Sequence, residues 1–71
     1  MLSGVTMQGM SGPELRKERE AAGVARKRLA RMLLRDNVTV WRWENMAEVP
    51  PTIVDLYRRA LVALTEEEDA A

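Results

Sequence analysis

The segment ARKRLARMLLRDNVTVWRWEN, residues 25–45, carries the pattern that decides the fold. Its apolar residues fall in two groups with helical spacing, Leu29, Ala30 and Leu33, and then Val40 and Trp43. Spacing of this kind places each group on one buried stripe of a helix. The residues between the groups, 34–37, are too few for a strand and have the length of a turn. The segment therefore predicts two short helices that meet at a tight corner.

Capping residues indicate where the first three helices begin and end. Asp36 favours a helix start at the next residue, because its carboxylate can accept amide hydrogens of the following turn. Ser11 with Glu14 matches a capping box, and the first helix then runs to about Ala22. Gly23 follows, as the usual left-handed residue after a helix. The second and third helices are expected at about 26–34 and 37–45.

A fourth helix shows the clearest period in the chain. It follows a loop at residues 47–51, where two prolines block helix, and Thr52 with Asp55 predicts its cap. The positions expected to face the core are Ile53, Leu56, Tyr57, Ala60, Leu61 and Leu64. Val54 and Val62 lie off this stripe, which marks them as a candidate partner surface.

The length of 71 residues allows one small domain with a modest core. We expect a flexible arm at residues 1–10, which has no Lys or Arg, and a helical domain at residues 11–65. Residues 66–71 form an acidic tail, which either adds one last turn capped by Thr65 or stays disordered. The expected fold class is a compact all-α domain of four helices, with or without a short fifth.

Composition argues against several classes of function. The chain has no cysteine, which excludes disulfides and thiolate metal sites, and no histidine, the usual general base and commonest metal ligand. No apolar run approaches the roughly 18 residues that span a membrane, and the first residues lack a signal-peptide pattern. We therefore expect no enzyme, metal, cofactor, small-molecule substrate or membrane association, and a cytosolic location.

The net charge of zero hides an uneven distribution. Residues 14–44 contain nine basic and five acidic residues, a local charge of +4, whereas Glu66, Glu67, Glu68 and Asp69 give the end −4. The second helix and the residue that follows it carry five basic residues without an intervening acid, Arg26, Lys27, Arg28, Arg31 and Arg35. Like charges four residues apart weaken a lone helix, so the cluster favours an anionic partner such as phosphate. Ordinary solvated helix faces remain the alternative interpretation.

Two further residues need partners or an explanation. Arg19 shares the inward face of the first helix with Leu15 and Ala22, and an unpaired buried charge is costly. Glu44, on another helix, is the candidate partner. Trp41 does not belong to the buried stripe of its helix, so it is expected to be partly exposed. It is either a stacking or interface residue or a side chain along the domain edge.

Residues 15–64 resemble the phage-repressor-like helix-turn-helix domain of the Cro, lambda-repressor and XRE family. The motifs that carry the resemblance are Arg19, Gly23, Leu29-Ala30 and the run Val40-Trp41-Arg42-Trp43-Glu44-Asn45. It implies a lambda-repressor-like fold and a buried ion pair between Arg19 and Glu44. Family members are usually dimeric transcription regulators that bind palindromic operators, so it also implies double-stranded DNA and a second copy as partners.

The resemblance also assigns contact residues. Arg26 matches a phosphate-binding position, and the second helix would cross the phosphates with Lys27, Arg28 and Arg31 as further contacts. The positions that match the family's major-groove face are Asn37, Val38, Trp41 and Arg42, with Thr39 beside them. Arg42 suits guanine, Asn37 suits adenine, and Val38 with the Thr39 methyl suits a thymine methyl.

The chain departs from the family pattern at several positions. Leu34 stands where the family usually has a turn glycine, and a left-handed leucine costs roughly 1–2 kcal/mol. This favours a turn shifted by one residue. Arg35, Ala25 and Met46 also replace usual family residues. The family's fifth helix is missing or reduced to the acidic tail, which leaves the dimer contact open.

The first functional hypothesis is therefore a small sequence-specific DNA-binding regulator, of the repressor type. The second is a protein-binding module on the same fold, antitoxin-like or regulator-binding, with weak DNA affinity. Its contacts would be Trp41, Val54 and Val62. The neutral net charge and the acidic end favour this alternative slightly.

Overall fold

The computed structural model describes residues 10–70, with side chains through residue 67, and contains four helices in that part of the chain. Their bounds are α1 Gly12–Ala21, α2 Arg26–Met32, α3 Asn37–Glu44 and α4 Pro51–Ala70. The predicted all-helical class is confirmed. Residues 1–9 of the predicted arm lie outside the described residues, whereas Met10 forms an antiparallel bridge with Val49.

Helix α1 has both of the end structures that the sequence predicts. Ser11 Oγ accepts a hydrogen bond from the Glu14 amide at 3.3 Å, and Glu14 Oε1 accepts one from the Ser11 amide at 3.2 Å. These two bonds complete the capping box. After α1, Gly23 takes a left-handed φ of +72°, where a side chain would be strained.

The start of α1 lies in close contact with the end of α3, which the sequence pattern does not predict. The Gly12 amide donates to the Met46 carbonyl at 2.8 Å. A Cβ on Gly12 would lie 2.2 Å from the Trp43 carbonyl oxygen, so no larger residue fits without movement of the backbone. Glycine at position 12 therefore lets the two helix ends approach and aligns α1 with the carboxyl end of α3.

The turn between α2 and α3 is not shifted, contrary to expectation. Helix α2 ends at Met32, earlier than expected, and Leu34 itself takes the left-handed conformation with φ +58°. The Arg35 amide donates to the Ala30 carbonyl at 2.9 Å and the Leu34 amide to the Arg31 carbonyl at 3.1 Å. These are the two bonds of a Schellman ending, and they offset part of the strain at Leu34.

Helix α3 begins as predicted, but α4 differs at both ends. Asp36 Oδ1 accepts from the Thr39 amide at 2.8 Å and caps α3. Helix α4 begins at Pro51 rather than after a Thr52 cap, because a proline at the first helical position has no amide hydrogen to lose. It then runs without a break to residue 70, so the acidic residues extend α4 and do not form a short fifth helix.

The core confirms most of the predicted inward positions and corrects two on α4. Val54 is 7% exposed and belongs to the core, whereas Leu56 is 42% exposed. Val54 lies three residues before Tyr57 and seven before Leu61, so all three share one face, and Leu56 points more than a quarter turn away from it. The predicted outward Val54 and inward Leu56 were therefore both wrong. The fully or largely buried apolar residues are Leu15, Val24, Leu29, Ala30, Val40, Val49, Val54, Tyr57, Ala60, Leu61 and Leu64.

The helices pack so that the corner between α2 and α3 keeps an exposed outer side. Helix α3 packs against α2 and α1, and α4 packs against α2 and α1. Leu29 and Ala30 of α2 and Val40 of α3 enter the common core. The opposite sides of both short helices consequently point to solvent.

Candidate functional site

The outer sides of α2 and α3 carry nearly all of the residues that the sequence analysis assigned to a DNA interface. Lys27, Arg28 and Arg31 of α2 are exposed. The exposed residues of α3 among the assigned contacts are Asn37, Val38, Trp41 and Arg42. Arg26 and Thr39 differ, because each is only half-exposed. We call the exposed residues of this set, together with Arg35, the α2–α3 outer surface.

This surface is positively charged because its two acidic neighbours are used elsewhere. Residues 26–45 contain six basic and two acidic residues, Asp36 and Glu44. Glu44 is 1% exposed and points into the domain. Asp36 caps α3, and the hydrogen bonds from Thr39, with the nearby charge of Arg42, lower the pKa of Asp36. The Asp36 carboxylate is thus engaged by the start of α3.

The α3 part of the surface is apolar as well as basic. Val38 and Trp41 are about half exposed, at 55% and 49%, and lie three residues apart on one side of the helix. The predicted partial exposure of Trp41 is confirmed. Asn45 Nδ2 donates to the Trp41 carbonyl at 2.8 Å, which ties down the end of this turn. The exposed side of α3 therefore combines a short apolar strip with Asn37 and Arg42.

Behind this surface lies a buried polar cluster centred on Glu44. Arg19 Nε donates to Glu44 Oε2 at 2.7 Å and Arg19 Nη2 to Glu44 Oε1 at 3.2 Å, a bidentate ion pair. Arg19 Nη1 also donates to the Val24 carbonyl at 2.9 Å. The Tyr57 hydroxyl donates to Glu44 Oε2 at 2.5 Å. Together these bonds tie α1, α3 and α4 to a single carboxylate.

The cluster shifts the pKa values of two of its members. Burial alone would lower the pKa of Arg19, but the hydrogen bonds and negative charge of Glu44 outweigh it and raise that pKa. Burial, and then the hydrogen bond to Glu44, raise the pKa of Tyr57 well above its usual value. Sequence reasoning placed Tyr57 on a core stripe and missed this bond. The sequence signal that could have predicted this bond is that a buried tyrosine hydroxyl needs a hydrogen-bond partner.

Arg26 belongs partly to the cluster and partly to the outer surface. Its Nη1 lies 3.6 Å from Glu44 Oε1, and its side chain is 31% exposed. Its Nε is buried and has no hydrogen-bond partner among the described residues. Glu44 therefore faces two arginines, of which Arg19 forms the bidentate pair and Arg26 lies farther away and partly at the surface.

Two shallow grooves flank α4. One, of about 230 Å³, separates α4 from α2 and is lined by Arg28, Arg31, Met32, Leu64 and Glu67. In it, Arg28 Nη2 lies 3.8 Å from Glu67 Oε1. The other, of about 440 Å³, lies between α1 and α4 and is lined by Glu18, Ala22, Arg58, Leu61, Val62 and Thr65. Arg58 spans it with a bidentate pair to Glu18, at 3.0 and 2.6 Å.

The described residues contain no group of His, Cys, Asp or Glu side chains that could hold a metal ion. Among the described helices, none is both long and apolar enough to cross a membrane. The α2–α3 outer surface presents guanidinium, ammonium, amide and apolar groups. No family model, no curated protein and no solved structure matches this chain significantly.

Proposed function

We propose that this domain is a sequence-specific DNA-binding transcriptional regulator, a small repressor of the phage type that acts in the cytoplasm. The observation that supports the proposal is the outer surface of α2 and α3. It joins exposed basic residues on α2 to a mixed reading side on α3, and its two acids are occupied by a helix cap and a buried ion pair. A basic helix followed by a helix with a mixed polar and apolar exposed side suits the way a lambda-repressor-like helix-turn-helix docks on a duplex.

Helix α2 supplies the phosphate contacts in this proposal. Lys27, Arg28 and Arg31 are exposed, and Arg26 at the helix start keeps donors that Glu44 does not use. Contacts to phosphate position a protein on the duplex without reading sequence. Each neutralised phosphate releases counterions, so binding should weaken steeply as salt is raised.

Helix α3 supplies the base contacts. Arg42 suits a bidentate pair with guanine, and Asn37 suits adenine. Val38 and Trp41 offer apolar contact to thymine methyl groups, with Thr39 at the edge because it is half-buried. Each good pairing is worth about 1–3 kcal/mol of discrimination. A helix of eight residues reads few base pairs, so a dimer on two half-sites about one helical turn apart supplies the remaining specificity.

The test is selection from a random duplex library, followed by affinity measurements on the selected sequence at several salt concentrations. We expect a palindromic sequence and a steep salt dependence. Arg42→Ala should lose affinity for the selected duplex and little for random DNA. Arg31→Ala should weaken both alike and flatten the salt slope by about 0.9, the value for one phosphate contact. Equal losses on selected and random DNA for both variants would contradict the proposal.

A protein-binding module is the second candidate, and the exposed apolar residues favour it. Leu34 is 89% exposed, and Val38 and Trp41, four and seven residues later in the chain, are about half exposed. Of the contacts first considered for such a module, Trp41 and Val62 are exposed but Val54 is buried, so Val54 is no longer a candidate. A module of this kind would show no sequence enrichment and only weak duplex binding that disappears at moderate salt. Trp41→Ala would then remove partner binding instead.

A further inference from the structure

The acidic end of α4 lies against the basic helix α2. Glu67 Oε1 is 3.8 Å from Arg28 Nη2 across the groove that also contains Arg31. Both side chains keep much of their surface in solvent, 44% for Arg28 and 63% for Glu67. An exposed pair of this kind is weak and breaks without any change in the fold. The contact is thus present in the free protein but available for exchange.

The last turns of α4 carry a charge that disfavours a helix. Residues 66–69 are all acidic, and the last turn has no basic residue. Negative charge is unfavourable at the carboxyl end of a helix, where the helix dipole is itself negative. Helix α4 nevertheless runs to residue 70. The positive charge of α2 across the groove is the compensation that the described residues provide.

The groove residues overlap the proposed phosphate contacts. Arg28 and Arg31 line it, and both belong to the set that would meet DNA. A duplex that approaches α2 therefore brings phosphate oxygens to a guanidinium that already faces a carboxylate. Carboxylate and phosphate make the same kind of charged hydrogen bond with arginine, so only one of the two can fully engage a given edge of it.

We propose that Glu67 is an internal competitor of DNA phosphate for Arg28, so that the end of α4 lowers the affinity of α2 for DNA. This inference rests on the proposed DNA-binding function. When a duplex binds, Arg28 exchanges the Glu67 carboxylate for a phosphate oxygen, and the acidic end of α4 loses its compensating charge. No covalent step is involved. The chain thereby holds non-specific binding low, because contact with phosphate alone must displace the carboxylate first.

The competition has a definite salt dependence. Salt weakens the exposed Arg28–Glu67 pair as well as the contact between protein and DNA. Removing the carboxylate should therefore increase affinity most at low salt, and the gain should shrink as salt rises. An exposed pair of this strength corresponds to a gain of about two- to fivefold in affinity at low salt.

The experiment compares Glu67→Gln with Glu66→Gln in the full chain. The two variants make the same change in net charge at adjacent positions, but Glu66 does not line the groove. Duplex binding is measured at low, moderate and high salt by fluorescence anisotropy, with circular dichroism to verify equal helix content. The same two changes are repeated in an Arg28→Ala chain, in which residue 28 has no guanidinium for Glu67 to pair with.

We expect Glu67→Gln to bind DNA about two- to fivefold more tightly than Glu66→Gln at low salt, and equally at high salt. In the Arg28→Ala chain the two variants should bind alike. Equal affinities of E67Q and E66Q in the otherwise unchanged chain would overturn the inference while leaving the proposed function intact. Failure of the unchanged chain and of E67Q to bind any duplex at low salt would overturn both.

Discussion

The inner and outer sides of the α2–α3 helix pair are built differently. On the inner side, Glu44 accepts hydrogen bonds from Arg19 and Tyr57, and all three side chains are buried. On the outer side, the N-cap residue of α2 is Ala25, whose side chain accepts no hydrogen bond, and the turn places Leu34 in a left-handed conformation. Val38 and Trp41 expose apolar surface nearby. On the inner side the polar groups have their partners within the domain, whereas the outer side has several energetically unfavourable local features.

The proposed function gives a reason for this difference, because it makes the outer side the one that meets a partner. Natural domains usually agree with local rules, and departures concentrate where function requires them. Here the departures share the surface that holds the cluster of positive charge. Substitutions on the inner side should therefore destabilise the domain, whereas some substitutions on the outer side should stabilise it. Four substitutions test this contrast.

Glu44→Ala should have the largest effect. It leaves Arg19 buried without its carboxylate and removes the acceptor for Tyr57, and breaking a buried pair in this way costs about 3–5 kcal/mol. A domain of this size has a free energy of unfolding of roughly 4–11 kcal/mol, so the variant should lose at least about a quarter of its stability. Urea denaturation measures the loss, with the exposed Glu48→Ala as a control of equal charge. A loss below about 1 kcal/mol would contradict the assignment of the inner side.

Tyr57→Phe should have the next largest effect. It should lower the free energy of unfolding by about 1.5–3 kcal/mol, because it removes a hydrogen bond to a charged group. The unchanged protein should also lose stability in alkali. The folded pKa of Tyr57 lies above its unfolded value of about 10. Its contribution is therefore complete below pH 10 and declines as pH rises toward the folded pKa.

The chain contains one tyrosine, so tyrosinate absorbance near 295 nm reports this residue alone. We expect the folded protein to show little tyrosinate at a pH where the protein unfolded in urea is largely ionised. The Phe variant should lack the alkaline decline that tyrosine ionisation causes. Titration of the folded protein at about pH 10 would mean that the hydroxyl is not held by Glu44.

Ala25→Ser, on the outer side, should stabilise the domain by about 1 kcal/mol. Ala25 already has the extended backbone of an N-cap, with φ −71° and ψ 143°, but no side chain that accepts a hydrogen bond. A serine hydroxyl there can accept from the first turn of α2. Thermal unfolding measures the gain, and Ala25→Val, which cannot cap, should show none. A gain from both variants would mean that capping is not the cause.

Leu34→Gly should have the smallest effect, a net gain of roughly 0.5–1 kcal/mol. Glycine removes about 1–2 kcal/mol of left-handed strain but adds about 0.5–1 kcal/mol of unfolded-state entropy. The lost side chain contributes little burial, because it is 89% exposed. Leu34→Ala keeps the strain and serves as the matched control in urea denaturation. If glycine gives no more stability than alanine, the turn is not a strained part of the outer side.

The sequence by itself determined the features that depend on local chemistry. The Ser11–Glu14 box, the Asp36 cap and the left-handed Gly23 all follow from hydrogen bonds or sterics within a few residues. The periodic apolar residues of α2 and α3 likewise gave the buried stripes, because helical spacing alone selects them. The charge contrast between α2 and the end of the chain was also evident from the sequence.

Tertiary structure decided the features that depend on contacts between distant residues. The face of α4 that is buried, and with it Val54 and Leu56, was set by the position of α1 and α2 against that helix. The strained Leu34 was retained because the Schellman bonds and the packing of both short helices hold the turn in register. The approach of Arg26 and Tyr57 to Glu44, and of Glu67 to Arg28, likewise joins residues far apart in the chain. Local preferences carry no information about such distances, which arise only when the helices share one core.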